Sequence, residues 1–193
     1  MSSTASTIIS RPGRRAASLA LAVAALAYPL LVYAGLRTLP ALVLGLVLLG
    51  VIAARIALTP AGPLGTALVA GAIALVALLL LDPAIALRAW PVLLSLALAA
   101  VFAWSLRHPP SAIERLARFA EPELPPAAVV YTRKVTVVWL CFFVANAAVA
   151  AWTALFTSLE SWTLYNGLVS YVIIGVIFAI EWTVRQRVRR RAA

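Results

Sequence analysis

Acidic residues are scarce in this sequence. Six Asp and Glu stand against sixteen Lys and Arg, with one His and one Cys. A single cysteine, Cys141, cannot build a disulfide framework or a thiolate metal site within one chain. It lies in an apolar run, where a small buried hydrophobe is its ordinary role. The usual signatures of catalysis are missing as well: no HExxH, GxSxG, Walker loop or GxGxxG occurs. Clusters of metal-ligating residues are absent, so neither cofactor nor metal is expected. Charged residues make up only 11% of the chain, where a soluble domain carries about a quarter.

What fills the sequence is hydrocarbon. Apolar residues reach 64% of the 193 positions, and mean hydropathy is +1.03. A water-soluble fold of this length has too much surface for its volume to hide that fraction, and a bilayer removes the difficulty. Crossing its core of about 30 Å takes roughly 20 helical residues. Six stretches serve, at 16–34, 39–58, 65–81, 89–106, 135–156 and 162–182. They are continuously apolar, whereas the strands of a membrane barrel alternate. The expected fold is therefore all-α, a polytopic membrane helical bundle of about six transmembrane helices.

The net charge of +10 could point to nucleic acid, but the basic residues form no stripe interleaved with aromatics. They sit between the apolar runs and toward the ends, where they report orientation. With the N-terminus inside, fourteen of the sixteen fall on the cytoplasmic side and only Arg37 and Arg88 outside. An N-in, C-in protein of the bacterial inner membrane follows, with no nucleic-acid partner. Arg11–Arg15 and the apolar run ending at Val32-Tyr33-Ala34 also resemble a signal peptide. The run is long for that purpose and another span follows, so an uncleaved first helix is expected.

Three regions result: a four-helix membrane part at 1–106, a cytoplasmic connector at 107–134, and a two-helix membrane part with a basic tail at 135–193. In the connector, His108-Pro109-Pro110 stops the fourth helix. From Ser111 a short amphipathic pattern begins, with Glu114 and Arg118 four residues apart in the favourable order. Such a helix would lie in the membrane interface. Arg133 and Lys134 close the connector.

The last two helices differ from the first four. They hold four of the six Trp, together with Asn146, Asn166 and Glu181. Trp139, Phe143, Asn146, Ala150 and Thr153 recur at helical spacing on one face. On the last helix Gly167, Tyr171, Gly175, Phe178 and Glu181 or Trp182 share a face, the glycines permitting close approach. Two readings stand side by side. In one, Asn146 and Tyr171 glue two helices together; in the other, these faces line a groove for a lipid or acyl chain. Trp152 and Tyr165 belong to the same candidate set. Glu181 is an intramembrane carboxylate and so a functional candidate, but Arg185 at i+4 offers it a structural partner. His108 precedes Glu114 by six positions. Membrane acyltransferases pair a His with a nearby acid, yet Ile113 stands where that acid would be needed.

The segments Pro110–Arg118, Glu123–Pro126 and Tyr131–Thr136 resemble a family of bacterial inner-membrane proteins. So do Trp139–Asn146, Trp152–Phe156 and Trp162–Gly167. Members of that family occur among the biosynthetic genes of aryl polyene and xanthomonadin-type pigments. The Trp, Phe-Phe, Asn, Trp and Asn-Gly pattern is also distantly similar to the intracellular septation protein A family. The resemblance implies a non-enzymatic accessory protein assisting biosynthesis, lipid attachment or export of an aryl-polyene-type product. Its partners would be membrane lipid and acyl-carrier protein or polyene biosynthetic enzymes. No catalytic residues come with it, and no thiolase-type Cys-His-His or Cys-His-Asn set is present. A membrane acyltransferase-like enzyme, or a small transporter or envelope-organising protein, is the alternative.

Overall fold

A computed structural model describes residues 27–192, and the side chains of all of these except Ala120 and 187–192. Among the described residues every regular element is helical and no strand occurs. After α1 (27–35) come α2 (Ala41–Leu58), α3 (Pro63–Leu81), α4 (Pro83–Arg107), α5 (Ala112–Ala120) and α6 (Pro126–Phe156). Then α7 (Leu159–Leu164) passes through a π-turn (Tyr165–Val169) into α8 (Ser170–Ala192). Helices α2, α3, α4, α6 and the run 159–186 are each long and apolar enough to cross a membrane. The chain is therefore an all-α, multi-pass membrane protein. Of the sixth expected span, at 16–34, the part up to 26 lies outside the described residues, as do the basic residues at 11–15 and the cleavage reading. The side chains of the basic tail from 187 onward lie outside them too.

Proline and short caps set the boundaries. Pro63, Pro83 and Pro126 stand at helix starts, where the missing amide donor has no partner to lose. Asp82 caps α4, its Oδ1 accepting from the amides of Ala84 and Ile85 at 2.8 and 3.1 Å. Beginning at Pro126, α6 takes in residues 126–134 of the expected connector. Arg133 and Lys134 consequently stand on helix. Pro125 and Pro126, within the expected connector, cap and open the helix.

Helix α4 is the spine, packed along α3 on one side and α6 on the other. Gly45 of α2 admits α3 closely: a Cβ there would come within 2.3 Å of Leu79. The apolar core runs through Val32, Leu48, Ile52, Leu75, Leu87, Trp90 and Trp162. By contrast α8 leaves the bundle. Only 6% of the apolar window of 159–186 is buried, against 28% for α4 and α6.

Pro91 lies inside α4. It has no amide proton to give the carbonyl four residues back, and in lipid that group needs a donor. The carbonyl is that of Leu87, and the hydroxyl of Tyr28 donates to it at 2.7 Å. The next carbonyl, of Arg88, accepts from Trp162 Nε1 at 3.0 Å. The Arg88 side chain reaches the other way. Its Nη2 donates to the carbonyls of Thr153 and Thr157 at 2.8 and 2.6 Å, closing the C-terminal end of α6. One turn of α4 thus ties α1, α6 and α7 together.

This arrangement predicts coupling. Tyr28→Phe should destabilise the detergent-solubilised protein by about 1 kcal/mol. In a Pro91→Ala background the Leu87 carbonyl regains a helical donor, and the same change should cost little. Unfolding by SDS titration in a double-mutant cycle measures the difference.

Candidate functional site

The inward face expected on α6 is the one buried. Trp139, Ala150 and Thr153 are buried, and Phe143 and Asn146 are half-buried beside them. Opposite them α8 presents Tyr171, Ile174, Phe178, Glu181 and Arg185, all of which line recesses facing α6. Because α8 diverges, a cleft opens between the two faces.

The inner end of the cleft is a cavity of about 110 Å³, lined in part by Ser95, Phe143, Asn146, Asn166 and Tyr171. A chain of hydrogen bonds runs along its wall. Asn146 Nδ2 donates to Ser95 Oγ of α4 at 3.0 Å, and Tyr165 OH donates to Asn146 Oδ1 at 3.0 Å. Asn166 is buried, and its Nδ2 donates to the carbonyl of Trp162 at 2.9 Å and to Thr153 Oγ1 at 3.3 Å. The π-turn makes this possible. Its wider ladder, in which the Ser170 amide reaches back to the Tyr165 carbonyl, turns Tyr165 and Asn166 toward α6. π-bulges of this kind recur at functional sites.

The outer end is a groove of about 260 Å³ beside α5, walled by Leu116, Tyr131, Trp139, Phe178, Glu181 and Arg185 among others. Trp139 and Phe178 meet across it with ring centroids 4.8 Å apart. One turn along α6, Phe143 packs edge-to-face on Phe102 at 5.1 Å. These aromatic rings separate groove from cavity. At the mouth Glu181 Oε1 accepts from Arg185 at 2.6 and 2.8 Å. Tyr131 OH donates to the Glu181 carbonyl at 3.2 Å.

Helix α5 forms one rim, pinned by its first amides. Ala112 donates to Ser105 Oγ at 3.0 Å and Ile113 to Thr136 Oγ1 at 3.3 Å. The buried Glu114 accepts from the Ser111 amide and pairs with Arg118 at 2.8 Å. Leu116 and Phe119 are 61% and 87% exposed, the apolar side of an interfacial helix.

Other candidates fall elsewhere. Trp152 is exposed and packs on Phe156. Gly167 faces Pro29 of α1, not α6, and a Cβ at Gly175 would meet nothing within 4 Å. The glycines therefore form no α6–α8 seam. His108 caps α4; its ring stacks on Trp104 at 4.5 Å and Nδ1 lies 3.0 Å from the Trp104 carbonyl. Arg133 donates to the Leu106 carbonyl at 2.9 Å, while Lys134 is exposed. Sequence reasoning missed Ser95, Tyr131 and Arg88. A proline inside α4 was the available signal for the last, since it marks carbonyls in need of donors.

No family model, no curated protein and no solved structure matches this chain.

Truncating the hub of the network should be costly. Asn146→Ala strands Ser95 Oγ and Tyr165 OH in an apolar setting and should lower stability by about 1–3 kcal/mol. The coupling between Asn146 and Tyr165, measured with Tyr165→Phe in SDS unfolding, should lie near 0.6 kcal/mol and below about 1.7.

Proposed function

We propose that the protein is a non-enzymatic accessory factor of the bacterial inner membrane, with both termini cytoplasmic. It would hold an aryl-polyene-type or acyl chain in the cleft between α6 and α8 while that product is built, attached to lipid or exported. The supporting observation is the cleft itself. It is apolar and aromatic along its walls, has a polar mouth at Tyr131, Glu181 and Arg185, and is followed beyond the Trp139–Phe178 contact by a cavity with amide and hydroxyl groups. From Phe178 to Arg185, α8 walls the groove over roughly 10 Å, and a longer chain would have to pass the Trp139–Phe178 contact to enter the cavity. The family resemblance of residues 110–167 supplies the product class. Arg107, Arg115, Arg133 and Lys134 at the α5 end would face acidic acyl-carrier proteins.

An acyltransferase on the same residues finds less support. His108 is held against Trp104, Glu114 is committed to Arg118 and Ser111, and Glu181 to Arg185.

Deleting the gene in a pigmented host should reduce extractable polyene or its delivery to the outer envelope, and Trp139→Ala should fail to restore it. Normal yield and normal delivery in the deletion strain would sink the proposal. Orientation is tested separately. A phosphatase reporter fused after Pro122 should be inactive, and one fused after Asp82 active.

A further inference from the structure

A second recess adjoins the inner cavity, with Tyr28, Trp90 and Leu94 shared between their walls, but it opens along α2 and does not depend on how the cleft is read. It is a groove of about 270 Å³ between α1, α2, α3 and α4. Along α2 its wall is Leu44, Leu48 and Ile52, ending at Arg55. These positions are four, four and three apart and so share a face. The groove is roughly 16 Å long on the helix rise. Leu68 and Trp90 close the opposite side. Its volume falls just under the roughly 300–1,000 Å³ of common small-molecule sites, and its open, apolar lining suits one hydrocarbon chain.

The end of the groove is charged and unbalanced. Arg55 is exposed, at the α5 end of α2, and makes no ion pair or side-chain hydrogen bond among the described residues. The acids are spoken for elsewhere. Asp82 caps α4, Glu160 faces Arg37, Glu114 holds Arg118 and Glu181 holds Arg185. The remaining two, Glu121 and Glu123, belong to the connector before α6. Residues 1–26 contain no Asp or Glu, so that stretch offers Arg55 no side-chain carboxylate. A guanidinium matches phosphate oxygens in a two-pronged geometry, and one at a membrane boundary draws anionic lipid.

We propose that this groove is a lipid-binding site. It takes one acyl chain of an anionic membrane phospholipid, with the phosphate against Arg55. The full-length protein, purified in detergent and equilibrated with vesicles of equal phosphatidylglycerol and phosphatidylethanolamine, tests it by native mass spectrometry. Wild type should retain phosphatidylglycerol in preference. Arg55→Gln should lower that retention about fivefold, near the effect of one basic residue at an anionic surface. Arg107→Gln, an exposed arginine outside the groove, should not. A photo-crosslinking residue at Val51, which lines the groove, should label phospholipid. Equal retention by wild type and Arg55→Gln would overturn the site, as would equal retention of both lipids. Crosslinks recovered on residues 16–26 would show that the chain fills its own groove, and would overturn it too.

Discussion

A backbone carbonyl without a donor is expensive in hydrocarbon, and α4 carries one by construction because Pro91 stands in its interior. The packing of the bundle at this level follows from how that debt is met. Tyr28 comes to the Leu87 carbonyl from α1, and Trp162 comes to the Arg88 carbonyl from α7. Each brings a large apolar body with its single polar atom, so the hydrogen bond and the burial are obtained together. Trp162 is fully buried as a result. The Arg88 side chain then serves the last carbonyls of α6, where a cation also complements the negative end of the helix. A helix break that would weaken an isolated span has become the point where four helices are registered.

The same accounting governs the polar side chains of the interior. Thr136 is completely buried, and it both donates to the Thr132 carbonyl and accepts from the α5 amide of Ile113. Ser105 does similar work for Ala112. These groups hold an interfacial helix to the membrane part without placing a charge in the lipid. Elsewhere α4 and α6 pack along each other and are joined at Ser95 by Asn146; their buried residues include Ala99, Ala147 and Ala150, small side chains of the kind that bring backbones close where no hydrophobic drive separates helix from lipid. Helix α8 has no such seam, which is why it stands off and leaves a cleft.

The helical membrane architecture was legible because length and hydropathy alone decide it. The buried face of α6 was legible too, since Trp139, Asn146, Ala150 and Thr153 recur at helical spacing. The start of α6 was not. Pro125-Pro126 reads as a connector, yet a proline is as much at home in a first helical turn. Arg88 was readable only as a charge on one side of the membrane. Its role at the end of α6 depends on a residue sixty-five positions away, and no local pattern encodes that distance. The π-turn was equally hidden, because Tyr165-Asn166-Gly167 carries nothing that separates a widened turn from a regular one. It is the widened turn that brings Tyr165 to Asn146.

The two recesses beside α4 differ in one physical respect that bears on their occupants. Both end at an arginine near the α5 end of the bundle. In the cleft Arg185 lies against Glu181 at 2.6 Å and Glu121 lines the same groove, so an anionic headgroup entering it would have to displace a carboxylate. A neutral or aromatic end group meets no such competition and gains Tyr131 as a hydrogen-bonding partner. In the α2 groove Arg55 has no counter-charge among the described residues, so the cost of bringing an anion there is offset by the guanidinium itself. A shared apolar interior would make the recesses interchangeable. Under the two proposals, the presence of Glu181 in one and the absence of an acid among the described residues lining the other favour a neutral-headed chain for the cleft and an anionic lipid for the groove.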